Sequence, residues 1–267
     1  MTDDSILNLS HFSTPATGRF ASAFNEASPF RHLVIDNFLA PAFADSLANG
    51  FPALEKMRTH YSGINERKAE DNDLTRLDSN FTLLHQTLSA PHFLQWLSEV
   101  TGIAKLRTVE DRLGYGLHQG GDGSFLDIHI DYNIHPITKL QRKLNFLLFF
   151  NPGWNDEWGG LLQFWDARSE NTGQEIAPLF NRAVIFECSE ISYHGCSKVH
   201  VPHGITRKSI YQYYFTTPDK AVHYHDTIFK PVPGTPLAKK IVVPVKELLK
   251  NGIKKTLLSL GLERFLR

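Results

Sequence analysis

Residues 125–131 read Phe125-Leu126-Asp127-Ile128-His129-Ile130-Asp131. The run has the apolar and aromatic character of a strand, and in a strand every second side chain points to the same side. His129 and Asp131 therefore share a face and aim two potential metal ligands at one point. Asp127 has the same parity but sits one strand step further back, and it is not counted as a ligand. Working outward, similar short runs recur at 111–117, 144–150, 161–165, 183–187 and 208–216, separated by Gly, Pro and Asn. Most of the gaps hold no helical pattern of crossover length. Antiparallel sheets in a jelly roll are expected, in preference to a parallel α/β sheet.

The first 105 residues have a different texture. Residues 1 to about 28 are polar and broken by Pro15, Gly18 and Pro29, and read as a loosely packed arm. Pro41 is placed to open a helix with Phe43 and Leu47 on one side and Gly50 at its end. Pro91 and Gly102 bracket another, in which Phe93, Leu94, Leu97 and Val100 recur at helical spacing. Three regions result: a helix-rich support over 1–105, a β core over 106–220, and a Pro-rich segment with a basic amphipathic helix over 221–267. Residues 239–267 contain eight Lys or Arg and two Glu, a net of plus six. Such a helix either docks its leucines on the core or touches an anionic membrane or partner.

Whole-chain composition is neutral, with 28 Lys plus Arg against 28 Asp plus Glu. That balance gives no electrostatic footprint for nucleic acid. The start, Met1-Thr2-Asp3-Asp4-Ser5, lacks a basic and then apolar leader, and no apolar stretch is of membrane-spanning length. A soluble cytoplasmic protein is expected, with Cys188 and Cys196 reduced.

The chemistry gathers in three places. The first is His129 with Asp131. The second is His194 in Ser192-Tyr193-His194-Gly195, after the apolar strand Ala183-Val184-Ile185-Phe186. Two imidazoles and a carboxylate on one side of an ion leave about three positions open, the donor set of non-haem ferrous oxygenases. The third is Arg207, 13 residues after His194, which begins an alternating strand with Ser209 on the same face. A planar guanidinium beside a hydroxyl suits a carboxylate.

In this order the motifs resemble the iron(II)/2-oxoglutarate-dependent dioxygenase superfamily, in its prolyl-hydroxylase-like branch. The resemblance runs over about residues 110–218. It is carried by Tyr115, His129-Ile130-Asp131, Leu147 to Trp154 with Gly159-Gly160-Leu161-Leu162, His194-Gly195 and Arg207-Lys208-Ser209. It implies a mainly β protein with supporting helices, a cupin-like double-stranded β-helix. It also implies Fe(II) on His129, Asp131 and His194, with 2-oxoglutarate and O2 as cosubstrates. Arg207 would hold the far carboxylate of 2-oxoglutarate, Ser209 would assist, and Tyr115 would line that pocket. The implied reaction is hydroxylation of a C–H bond in a peptidyl residue, an amino acid or a small metabolite, with succinate and CO2 as coproducts. Halogenating variants of the fold lack the carboxylate ligand, and Asp131 is present here. The branch often carries a Tyr on the third core strand, where this chain has Leu147-Leu148-Phe149-Phe150. Tyr211 and Tyr213 are the candidates to replace its hydroxyl. Asn133, His135 and Trp165 are candidates for the substrate pocket.

Two other readings keep the fold. One is a silent jelly-roll module that binds a sugar or small acid, and the other is a zinc hydrolase on the same triad. Cys188, Cys196, His200 and His203 match no zinc-finger spacing, and His223 and His225 lack a downstream third ligand.

Overall fold

The computed structural model describes residues 5–233, 235–237 and 239–240. The basic helix expected after Pro244 lies outside them. Among the described residues no helix is long and apolar enough to cross a membrane.

The chain forms α1 (Thr14–Glu26), β1 (His32–Ile35), α2 (Pro41–Gly50), β2 (Thr59–Ser62), β3 (Glu66–Asp71), α3 (Ser79–Ser89) and α4 (Pro91–Thr101). The β core follows with β4 (Tyr115–Gly120), β5 (Phe125–Ile130), β6 (Gln141–Phe149), β7 (Leu162–Asp166), β8 (Asn171–Ile176), β9 (Arg182–Glu187), β10 (His194–Cys196), β11 (Arg207–Thr216) and β12 (Ile228–Phe229). The pairing is antiparallel, in the order β1-β9-β6-β11-β4-β3-β5-β10-β7-β8. β3 pairs with both β4 and β5 and so joins a larger sheet to a smaller one. The two curl toward each other as a jelly roll.

Local signals explain the helices. Pro41 and Pro91 each open a helix, where a missing N–H costs nothing. Gly102, at φ 71°, closes α4 in the left-handed region. Residues 14–26, expected as a loose arm, form α1, which packs on α4 through the buried Phe24. Pro15, read as a breaker, sits in the first turn, where proline is tolerated. The amino-terminal region also adds the four-residue apolar β1 and the polar β2 and β3, too short or too polar to announce themselves.

Period-two alternation splits the apolar residues between two cores. Leu117, Leu144, Phe146, Leu148, Ile185 and Ile210 face the helices. Phe149, Leu162, Phe164, Val184 and Phe186 fill one end of the space between the sheets. The other end of that space is polar, and the functional side chains converge there.

Candidate metal centre

His129 is near the end of β5, Asp131 just beyond it, and His194 opens β10; His194 and His129 are direct cross-strand partners. Their rings lie 4.4 Å apart between centroids. The Asp131 carboxylate lies 3.5 Å from His129 Nε2 through Oδ1 and 3.3 Å from His194 Nε2 through Oδ2. One donor atom from each residue falls within 4.8 Å of the others, and this is the metal-competent cluster among the described residues. The imidazole tautomers suit the task. Each Nδ1 lies beside a nearby carbonyl, Asp127 O at 2.8 Å and Ser192 O at 3.0 Å. A carbonyl only accepts, so Nδ1 carries the proton and Nε2 keeps its lone pair for an ion. The donor set and its aim fit a divalent iron centre.

Electrostatics support a neutral His129 and an ionised Asp131. Burial, and then the neighbouring His194, push the His129 imidazole down, toward the neutral ligand form. Burial alone would raise the Asp131 carboxyl, but the Arg142 guanidinium and the two imidazoles hold it well below the usual range. Asp127 pairs with Lys239 instead of joining the triad. β5 has one residue more than β10 between the pairs His129–His194 and Leu126–Cys196, a β-bulge. Such a bulge breaks the alternation.

On β11, Arg207 and Ser209 share the inward face. Ser209 is buried and lies opposite His118 on one side and Phe149 on the other. The Arg207 guanidinium packs 4.9 Å from the Phe149 ring, and its Nε donates to Gly160 O at 2.6 Å. Among the described residues it has no carboxylate partner. His118, Cys196 and Arg207 line a small space of about 60 Å³. A larger groove, about 990 Å³, is elsewhere, between β5 and the C-terminal segment, and none of the three ligands lines it.

Several expected site residues take other roles. Tyr115 faces the helices, because it has the parity of Leu117; its hydroxyl donates to Phe81 O at 3.1 Å. His118, three residues on, occupies the inward position instead. Burial, with the Lys68 and Arg207 charges, holds His118 well below its usual pKa. Tyr211 and Tyr213 face inward; the Tyr211 hydroxyl donates to Glu70, and the Tyr213 ring packs on the Arg142 guanidinium. His135 is fully buried, 3.1 Å from Asp111, and accepts from Thr138 N; it is a structural residue out of reach of substrate. The Asn133 side chain is spent on His223 O and His225 N, which fastens the returning C-terminal segment. That segment continues into β12, where Phe229 pairs with His129 and its ring lies 5.4 Å away. Trp165 is buried, and among the described residues its indole N–H has no acceptor. Arg142, Asn145 and His118 escaped the sequence reading, since only sheet register brings them to the site.

A sequence profile of the 2OG-Fe(II) oxygenase superfamily matches residues 115–215, the segment that carries all three triad residues and Arg207. The match covers less than half of the chain, and the relatives the chain is similar to are named as prolyl hydroxylases. The chain is 26% identical to mouse (Mus musculus) prolyl 3-hydroxylase OGFOD1 over 65% of this chain and 31% of that protein. The chain thus spans about a third of the length of the curated relatives it matches. Its fold is shared with a prolyl hydroxylase from Trichoplax adhaerens, solved with a hypoxia-inducible-factor peptide. The TM-score is 0.54, with 18% identity over 75% of this chain and 91% of that one. A prolyl-4-hydroxylase from Pseudomonas putida superposes with a TM-score of 0.52, 15% identical over 74% of this chain and 99% of that one. Fe(II), 2-oxoglutarate and O2 are the superfamily's cofactor and cosubstrates.

Proposed function

We propose that this protein hydroxylates a C–H bond of a peptidyl residue, with Fe(II) held by His129, Asp131 and His194 and with 2-oxoglutarate held by Arg207. The convergence of two neutral imidazole Nε2 atoms and one carboxylate on a single point, inside the barrel, carries this reading. Arg207 supports it: a partly buried guanidinium without a carboxylate of its own is a poor arrangement unless a ligand supplies one. Ser209 and His118 flank that position. A peptidyl substrate, with proline the first residue to test, is favoured by the likeness to OGFOD1, named as a prolyl 3-hydroxylase. A cytosolic setting belongs to the same proposal, since it keeps the metal ferrous and the free Cys188 and Cys196 reduced.

When bound, the iron, 2-oxoglutarate and O2 supply the oxidising power for hydroxylation, with succinate and CO2 as the other products. The chain's own residues do the rest. The triad fixes the ion on one side and leaves the other open. Arg207 orients the cosubstrate through its far carboxylate, and the apolar end of the barrel, with Phe149, Phe164 and Phe186, excludes water from one side. An unpaired Arg207 and a complete triad both speak against a silent binding module, and a hydrolase has no use for the carboxylate anchor.

The test is anaerobic titration of the metal-free protein with Fe(II) and then 2-oxoglutarate. The expected result is the weak visible charge-transfer absorption of the two bound together, followed, on admitting air and a proline-containing peptide, by succinate. No absorption from folded protein would overturn the reading. Absorption without hydroxylation of any peptide, but with turnover of a free amino acid or metabolite, would keep the reaction and correct the substrate class.

A further inference from the structure

A buried guanidinium stands behind the triad's carboxylate. Arg142, on β6, is 2% exposed. Its head lies 3.4 Å from the centre of the Tyr213 ring and 4.9 Å from that of Tyr132. Nε and Nη2 both donate to Asn145 Oδ1, at 2.8 and 2.5 Å, and Nη2 lies 3.1 Å from Asp131 Oδ2. Asn145 Nδ2 donates to the same Asp131 oxygen at 2.8 Å. The amide cannot be turned over, because arginine offers only donors and the oxygen of Asn145 must face it. Asp131 Oδ2 thus faces two donor groups of the protein, the Asn145 amide and the Arg142 guanidinium, and also lies 3.3 Å from His194 Nε2. Oδ1 faces neither donor; its neighbour is His129 Nε2, 3.5 Å away.

We propose that Arg142 and Asn145 are positioning residues that engage Asp131 Oδ2, so that Oδ1, which has no donor from the protein, is the oxygen Asp131 offers the metal. This rests on the reading of the triad as a metal centre. A carboxylate free at both oxygens can chelate through both and take an additional coordination position. With one oxygen committed, that position stays available to exogenous ligands. The stacked tyrosines hold the guanidinium plane, and the guanidinium holds the amide. The carboxylate therefore has one orientation before any ion arrives, and the arrangement spans β6, β11 and the segment after β5.

The experiment uses the full chain, freed of metal, and Co(II) as the probe. It reads the Co(II) dissociation constant and the visible Co(II) spectrum, with circular dichroism as the check on folding. Asn145→Leu and Arg142→Met are expected to weaken Co(II) binding by about 10- to 100-fold, the usual cost of losing a group that orients a ligand. Both are also expected to change the spectrum, because the carboxylate gains its second oxygen; Arg142→Lys restores part of the affinity. If Arg142→Met does not fold, Asn145→Leu, which removes no charge, decides. A folded Asn145→Leu protein with the parent's affinity and spectrum overturns the proposal. Weaker binding with an unchanged spectrum also overturns it, since the carboxylate would then not have gained its second oxygen. A parent protein that takes up no Co(II) would instead remove the metal centre itself.

Discussion

Strand β11 presents two surfaces with opposite characters. Ile210 and Tyr214 enter the apolar layer under the helices, whereas Arg207, Ser209, Tyr211 and Tyr213 face the smaller sheet among charged groups. β6 repeats the division, with Leu144, Phe146 and Leu148 on one side and Asn145 and Phe149 on the other. The outward face stabilises the fold by removing hydrocarbon from water. The inward face does the reverse at its polar end, where a buried cation, a buried carboxylate and two imidazoles hold one another in place at a desolvation cost. The lesson is a separation of duties: the helix-facing layer stabilises a barrel whose interior is then free to hold an unfavourable cluster.

That division is open to attack from either side. The largest effect expected is from His194→Ala, which should abolish succinate release while circular dichroism stays that of the parent; retained turnover would remove His194 from the centre. Asp131→Ala should be equally inactive and also less stable by about 3–5 kcal/mol, because it strands the buried Arg142 charge. Denaturant unfolding would show the difference between the two. Arg207→Ala should raise the 2-oxoglutarate concentration for half-maximal rate by roughly 10- to 100-fold, the worth of about 1.5–3 kcal/mol of charge-assisted hydrogen bonding. Ile210→Ala, three residues along on the other face, should do the converse. It should cost about 2–5 kcal/mol of stability and leave that concentration unchanged. If both variants moved both quantities, the two faces would not be independent.

Smaller changes sharpen the boundary. Tyr115→Phe should cost about 1 kcal/mol through the lost bond to Phe81 O, with cosubstrate binding unaffected. A raised 2-oxoglutarate requirement would put Tyr115 back in the pocket. The smallest effect concerns His32, buried against the Phe164 ring at the apolar end of the barrel, where burial depresses its pKa. The unfolded chain binds this proton more readily than the folded one. Its contribution to stability is thus complete above the unfolded pKa of about 6.5 and is lost as pH falls toward the lower folded value. His32→Gln should flatten the melting temperature between pH 7.5 and pH 5.5, roughly the window of this titration.

Much of the centre was legible from spacing alone. His129 and Asp131 are two residues apart on a strand, and strand geometry alone places them together. Arg207 and Ser209 follow the same rule, and His194 was marked by the apolar strand before it. Where the reading failed, the cause was parity or register. Tyr115 is on β4 as expected, but the face it occupies depends on how β4 pairs with β11, which the local sequence does not encode. His135 and Asn133 looked like loop residues free to meet substrate. Their partners, Asp111 and residues 223 and 225, are distant in the chain. Helix α1 hid behind Pro15 and Gly18, which are tolerated because one falls in the first turn and the other has open space beside it.

By itself, then, the sequence pointed to the jelly roll, to the meeting of His129, Asp131 and His194 and to Arg207 and Ser209 on one face, because each rests on alternation within one strand or on a motif a few residues long. Only the tertiary structure decided that Arg142 and Asn145 stand behind Asp131, that His118 rather than Tyr115 faces Arg207, and that a returning C-terminal strand passes beside His129. Those contacts join strands far apart in sequence, and they depend on register and on a one-residue bulge. A single-residue slip moves every side chain to the other face, and no short stretch of sequence records it.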